Sequence, residues 1–291
     1  MSVPAAFDYH VAHSVDEAIA LMSQYGDDAK FLAGGHSLLP TMKLRLAQPG
    51  HLIDLGRIHG LSYVHDDANH IAIGAMTTYA TLEKSSVVHQ NFPLFTDGIP
   101  LIGDQQVRNR GTIGGSVAHS DPAADMPGMV LALKANIHVK GPNGGRTIHA
   151  DNFFQDLFQT SLEPGEVVTE LTFAKRAAHS GSAYEKLANK ASHYAVVGCA
   201  AVITLDAGGL CTAASVVITG ASVKPSRAGA VEVALVGNHL GEVHIEAAAS
   251  HAADGLEIVS DIHGSQAYRA QMAAVMAKRA ITRAVHRAHG G

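Results

Sequence analysis

Ala33-Gly34-Gly35-His36-Ser37-Leu38-Leu39-Pro40 and Thr112-Ile113-Gly114-Gly115-Ser116 are the two stretches on which the fold turns. The first lies between a short strand predicted at 30–33 and a helical pattern over 38–46, with another strand at 51–55. Strand, glycine turn, helix and strand make a βαβ-like beginning. Glycines let the backbone approach a ligand closely, and a helix N-terminus offers free N–H groups to a phosphate. Ser37 adds a hydroxyl donor. Alone, a Gly-Gly pair before a helix is only a turn. The second cluster repeats the device, with Thr112 and Ser116 as hydroxyl donors. Two such loops in separate segments suit a pyrophosphate held from both sides, hence a dinucleotide. Neither loop fits GxGxxG, and neither ends in GK[ST]. A different dinucleotide fold is therefore required.

Outward from these loops the chain reads as mixed α and β. Ser14 and Glu17 form a capping box, and Ala18, Ile19, Leu21 and Met22 give the helix after it an apolar face ending near Gly26. A strand is predicted at 71–75 and a helix over 77–88. Asp121-Pro122 has the form of a helix start, with Asp as cap and Pro at the first helical position, and predicts a helix to about 134. Asp125 stands one turn further on. Its carboxylate suits the positive end of that helix, and it equally suits a sugar hydroxyl, as the acidic residue of other nucleotide sites does. Residues 136–140 and 146–149 flank Gly141-Pro142-Asn143-Gly144-Gly145 and predict a hairpin. A strand follows at 167–173, then a small-residue linker at 177–182. Strands at 183–188, 195–205 and 212–219 precede helices at 227–235, 241–252 and 266–287. In the last helix Tyr268, Met272, Val275 and Met276 share a core face, and Arg279, Arg283 and Arg287 form a solvated basic face.

Composition excludes several function classes. The chain has 291 residues, 47% hydrophobic and 16% charged, so it can bury a large core. The net charge of -5 leaves no basic stripe for nucleic acid. The longest nearly apolar run, 194–205, is too short to span a bilayer, and no secretory signal is visible at 1–10. Cys199 and Cys211 make no disulfide framework, and two thiolates cannot build an iron–sulfur cluster, which usually takes four. The 19 histidines are scattered. His10 with His13 and His286 with His289 have helical spacing, but no HExxH or Cys/His pairing accompanies them, and no metal is expected. The chain reads as cytoplasmic.

The two glycine loops resemble those of the FAD-binding (medium) subunits of the molybdenum hydroxylases, the branch of aerobic carbon monoxide dehydrogenase above all. Met42-Lys43-Leu44-Arg45, His51-Leu52-Ile53-Asp54-Leu55, Ile73-Gly74-Ala75-Met76-Thr77-Thr78, Gln106-Val107-Arg108-Asn109-Arg110 and Tyr184-Glu185-Lys186-Leu187 extend the likeness over essentially the whole chain. The resemblance implies an α+β protein: a two-part FAD-binding fold of the vanillyl-alcohol oxidase and CO dehydrogenase flavoprotein type, plus a small α+β C-terminal domain. The expected divisions are an N-terminal α/β piece at 1–57, a mixed middle piece at 58–176 and the C-terminal domain at 177–291. It implies that Ala33, Gly34, Gly35, His36 and Ser37, with Thr112, Ile113, Gly114, Gly115 and Ser116, wrap the FAD pyrophosphate and ribityl chain. Asp125 would hold hydroxyls, Lys186 would join the cofactor site, and Tyr194 would lie beside the isoalloxazine ring. Where the family often has an acidic residue before that aromatic, this chain has His193. No catalytic acid or base is implied.

The implied partners are a large molybdenum-cofactor subunit and a small [2Fe-2S] subunit, in a dimer of heterotrimers. Electrons would pass to a quinone or another acceptor, and the complex could sit at the inner membrane face. Beside this stand the FAD subunit of another molybdenum hydroxylase, acting on a xanthine, nicotine, aldehyde or aromatic substrate, and two further alternatives. One is a stand-alone flavin oxidase, in which His36 would tether the flavin. The other is a non-catalytic nucleotide-binding or assembly module. About 115 residues after the linker are few for a substrate domain with a cap.

Overall fold

The computed structural model describes residues 3–291. Three larger sheets divide the chain in order, and Phe154–Asp156 with Gln159–Thr160 makes a two-stranded fourth. The first is parallel, with Asp8–Val11, His51–Asp54 and Ala29–Leu32 side by side in that order. The helix Val15–Tyr25 joins its outer strands. Its capping box forms: Ser14 Oγ accepts from Glu17 N–H at 3.1 Å, and Glu17 reaches back to His13 N–H at 2.8 Å. The strand Asp8–Val11 is an addition that the residue pattern does not announce.

The second sheet is antiparallel, in the order Val64–Asp66, His70–Gly74, Val167–Ala174, Asn136–Gly141, Gly144–His149. The hairpin expected around Pro142-Asn143 closes it. Short helices cover this sheet and bury the largest core, which contains Phe92, Phe95, Phe173, Met126 and Met129. The helix predicted over 77–88 is two, Tyr79–Lys84 and Ser86–Asn91. Ser85 ends the first, and its hydroxyl caps the second at Val88 N–H.

The helix predicted from Asp121 begins four residues later, as Asp125–Ala132. Residues 121–124 are instead a tie to the third sheet. Asp121 Oδ1 accepts from Ala123 N–H in a local turn. The carbonyls of Pro122 and Ala124 take up Thr219 Oγ1, Pro122 also accepts from Gly220 N–H, and Ala123 O accepts from Ala195 N–H. Those bonds hold the segment in a turn and out of the helix.

The third sheet runs Ser180–Ala188, Ala195–Leu205, Cys211–Thr219, Ser226–Arg227, all antiparallel. Its first strand takes in half of the expected linker. The helix Gln266–Ala288 lies across the sheet on an alanine face, Ala273, Ala277, Ala280, Ala284 and Ala288. The approach is so close that a Cβ on Gly181 would stand 2.0 Å from Ala284 O. Of the expected core face, Met276 is buried and Met272 and Val275 pack partly against the core, whereas Tyr268 is exposed, and small residues make up most of the buried stripe. The expected solvated basic face is corrected in part, since Arg279 is exposed but the other two arginines are paired. Arg287 clamps both oxygens of Asp97 at 2.6 and 2.9 Å, and Arg283 bridges Asp97 and Glu185. These pairs bind the last helix to the helix Pro93–Gly98 of the middle region.

Candidate functional site

The two glycine loops meet. Gly34 lies against Arg110 and Gly111 so closely that a Cβ there would stand 2.1 Å from Arg110 O. Gly35 has φ +77°, a conformation glycine adopts freely. In the second loop Thr112 caps the helix Ile113–His119, and its hydroxyl accepts from Gly115 N–H at 3.2 Å. Ile113 and Gly114 spend their N–H groups on Thr77 O and Ala75 O. A Cβ on Gly114 would stand 2.5 Å from Ala75 Cβ, and one on Gly115 2.7 Å from Thr112 Oγ1. Three of these glycines are thus required by protein packing and the fourth by its backbone angle.

Between the loops opens a cleft of about 590 Å³, within the range of small-molecule and cofactor sites. Ala33, Gly34, Gly35, His36, Ser37, Thr112, Gly114, Gly115, Ser116, Asp125 and Tyr194 all line it. Ile113 does not, because its side chain is fully buried in the middle core. Lys186 does not either. Its buried ammonium donates to Asp125 Oδ2 at 2.7 Å and to Leu101 O at 2.9 Å.

Asp125, 4% exposed, already takes two donors, since Tyr184 OH binds Oδ1 at 2.6 Å. These bonds anchor the floor of the cleft to the third sheet and leave the carboxylate lone pairs for a further donor. Burial pushes its carboxyl above the ordinary range, and Lys186 pulls it back. Burial, and then Asp125, raise the Tyr184 hydroxyl. Gly198 leaves room for that hydroxyl, which would stand 2.3 Å from a Cβ there.

The lining also includes residues that the sequence reading missed as site residues. Tyr79, His119, Asp121 and Phe158 line the cleft. Burial raises Asp121 and lowers His119. Tyr194 is 40% exposed, and burial followed by Asp121 raises its hydroxyl. His193 is exposed at φ +60°, in a turn where Asn189 Oδ1 accepts from Ala191 and Ser192 N–H. Asp121 could have been found from its place beside the second loop. Phe158 carries no such signal.

The site fits a pyrophosphate-bearing dinucleotide through its main chain. Among the described residues, the N–H groups of Gly34, Gly35, His36 and Ser37 find no acceptor in the protein, and a run of free amides around a left-handed residue makes an anion-binding concavity. Lys30 is the one Lys or Arg on the lining.

Comparison with known proteins agrees with that geometry. Residues 5–174 match the family model of the FAD binding domain in molybdopterin dehydrogenase, and residues 182–284 match the CO dehydrogenase flavoprotein C-terminal domain. The chain belongs to this FAD-binding family, and FAD is its cofactor. It is 42% identical to the carbon monoxide dehydrogenase medium chain of Hydrogenophaga pseudoflava, over 97% of this chain and 98% of that one. It is 38% identical to the alpha subunit of the 6-hydroxypseudooxynicotine dehydrogenase complex of Paenarthrobacter nicotinovorans, over 98% and 96%. Among solved structures, a carbon monoxide dehydrogenase chain from Hydrogenophaga pseudoflava superposes with a TM-score of 0.95 at 44% identity, covering 98% of this chain and 99% of that one. The α+β, two-part FAD fold with an added C-terminal domain is the fold observed, and the protein is a flavoprotein of the multi-subunit molybdenum-containing oxidoreductases.

Proposed function

We propose that this chain is the FAD-carrying electron-transfer subunit of a molybdenum hydroxylase, most closely an aerobic carbon monoxide dehydrogenase. It receives electrons from a small [2Fe-2S] subunit and hands them to an external acceptor, a quinone. The substrate is oxidised on a large molybdenum-cofactor subunit, and the whole is a dimer of heterotrimers in the cytoplasm, seated at the inner membrane face through the complex. No described helix is long and apolar enough to cross a membrane. The observation that carries this reading is the cleft between the two loops, within a chain that its carbon monoxide dehydrogenase relative matches over nearly its full length.

Bound FAD would supply the exchange between one-electron donors and a two-electron acceptor. The chain's own part is to hold and orient it. Gly34, Gly35, His36 and Ser37 offer main-chain N–H groups to its phosphates, and Thr112 and Ser116 offer hydroxyls. Asp125, held by Lys186 and Tyr184, keeps the floor of the cleft rigid. Tyr194 limits access beside the ring.

The test is a visible spectrum of the tagged chain purified gently from its native host, before and after acid precipitation. Flavin released to the supernatant, with iron–sulfur absorption from co-purifying subunits and activity on carbon monoxide, is the expected result. Flavin retained in the pellet would point to a tether at His36 and a stand-alone oxidase. A complex with flavin but another substrate would keep the subunit role and change the enzyme. No flavin would overturn the reading.

A further inference from the structure

The hairpin of Phe154–Asp156 and Gln159–Thr160 breaks the usual chemistry of a tight turn. Asp156 pairs with Gln159, so Leu157 and Phe158 alone form the tip. Phe158 has φ +53°, the left-handed region that Gly, Asn and Asp enter readily and a bulky aromatic does not. Leu157 and Phe158 are 49% and 52% exposed. A strained backbone that presents two large apolar side chains to water conflicts with stability twice over, and such conflicts concentrate at functional positions.

The tip is also held in place. Leu157 N–H donates to Asp156 Oδ1 at 2.7 Å, and Lys224 Nζ donates to Gln155 O at 2.8 Å. Ser120 Oγ, at the end of the glycine-loop helix, donates to Gln159 O at 3.4 Å. The His119 ring on that helix lies 5.1 Å from the Phe158 ring. Phe158 thereby joins His119, His193 and Tyr194 on the wall of the cofactor cleft.

We infer that this tip docks the external electron acceptor, an uncharged apolar ring compound of the quinone class. The inference rests on the proposed reading, in which electrons leave through the flavin cleft to such an acceptor. Phe158 and Tyr194 give a planar ring two aromatic surfaces to pack against. The tip itself, Leu157 and Phe158, offers no charged or hydrogen-bonding side chain to a phosphate-bearing acceptor. Dioxygen needs no apolar platform. In the reaction the quinone gains two electrons and two protons and leaves as the quinol, as FADH2 returns to FAD.

The experiment uses the complex from its native host, carrying wild-type chain, Phe158→Asn or Phe158→Tyr. Asn suits the left-handed angle, so Phe158→Asn relieves strain while it removes the ring, and a loss of acceptor docking is then separable from misfolding. Each complex is reduced anaerobically with dithionite and mixed with menadione, and flavin reoxidation is followed in stopped flow, with ferricyanide as a control oxidant. Binding of a redox-inert hydroxyquinoline N-oxide to the oxidised complex is measured by calorimetry. Phe158→Asn is expected to keep its FAD and partners and to melt no lower than wild type. Its half-saturating menadione concentration and its dissociation constant for the N-oxide should each rise about tenfold, the worth of one aromatic contact and its apolar burial. Ferricyanide reoxidation should not change, and Phe158→Tyr should behave as wild type. Unchanged menadione saturation and N-oxide affinity in Phe158→Asn would overturn the docking site. Loss of the partner subunits from that variant would overturn it as well, by making the tip an assembly contact. If the wild-type complex is reoxidised by NAD or dioxygen and not by menadione, the quinone reading itself fails, however the variants behave.

Discussion

Replacing Lys186 with Met leaves Asp125 as a buried carboxylate without its cation. At 2.7 Å and an effective dielectric of about 20, the lost attraction is about 6 kcal/mol. Removing the ammonium also removes the cost of burying it, so the net loss falls to about 3–5 kcal/mol. Protonation gives the variant a way out. Neutralising a carboxyl of ordinary pKa at pH 7 costs about 4 kcal/mol, and at pH 5 about 1.5 kcal/mol. The deficit is therefore capped, and the cap moves with pH.

The direction follows from the raised carboxyl of Asp125. A carboxyl whose folded pKa exceeds its unfolded value binds its proton more tightly when folded. The stability from that proton is full below the unfolded pKa and is lost as pH climbs through the folded one. Without Lys186 the folded value rises further, so the loss extends to higher pH. Between pH 5 and 8 the deficit of Lys186→Met relative to wild type should deepen by up to about 1.4 kcal/mol per pH unit. At pH 7 the melting temperature should fall by roughly 6–12 °C. The double variant Asp125→Asn, Lys186→Met keeps an acceptor for Tyr184 and buries no charge, and should regain more than half of the loss. Thermal melts followed by circular dichroism and FAD release at pH 5, 6, 7 and 8 provide the assay. A deficit that does not change across that range, or a double variant worse than the single, would refute the account of Asp125 as a charge held by Lys186.

The remaining predictions concern the loops, the clamp on the last helix and the thiols. Gly34→Ala places a methyl group 2.1 Å from Arg110 O and forces the loops apart. It should cost about 1–3 kcal/mol of overpacking and most of the bound FAD, read as the ratio of flavin to protein absorbance. Asp97→Asn removes the charge that Arg287 and Arg283 share and should destabilise by about 1.5–3 kcal/mol. Its melt should show the C-terminal helix loosening first by hydrogen exchange. Cys199 is fully buried, and burial pushes its thiol well up, as it does less strongly for Cys211. Neither should react with a disulfide reagent in the native protein, and both should react at once in guanidinium.

Much of the fold was legible where local signals agree with one another. The strand, glycine turn and helix around Gly34-Gly35 combine period, turn residues and a helix start, and the hairpin around Pro142-Asn143 combines alternation with turn chemistry. Failures arose where one local signal serves two structures. Asp121-Pro122 reads as a helix cap, but the same residues make a local turn when Thr219 and Gly220, about a hundred positions away, claim the carbonyls that follow. Arg283 and Arg287 read as a solvated stripe because their partner, Asp97, lies 190 residues from Arg287. Ser85 sits within an unbroken helical pattern, and only tertiary packing decides that it ends one helix and starts another.

The glycines of the two loops carry the more general lesson. Sequence reading assigns them to a ligand, since glycine admits close approach. In the structure Gly34 and Gly114 give way instead to Arg110 and Ala75, and Gly35 supplies a left-handed angle. The ligand's share is what this packing leaves behind, the unused N–H groups of residues 34–37. A side chain at Gly34 or Gly114 would therefore strike the protein before it reached a cofactor. That double constraint explains why the paired loops are specific enough to point to a family while Asp125 and Lys186 are not. An Asp and a Lys 61 residues apart have no reason to be joined until the helix Asp125–Ala132 packs on the third sheet. Loop glycines report local geometry, whereas the buried pair reports the assembly of the middle region with the C-terminal sheet, which no stretch of sequence contains on its own.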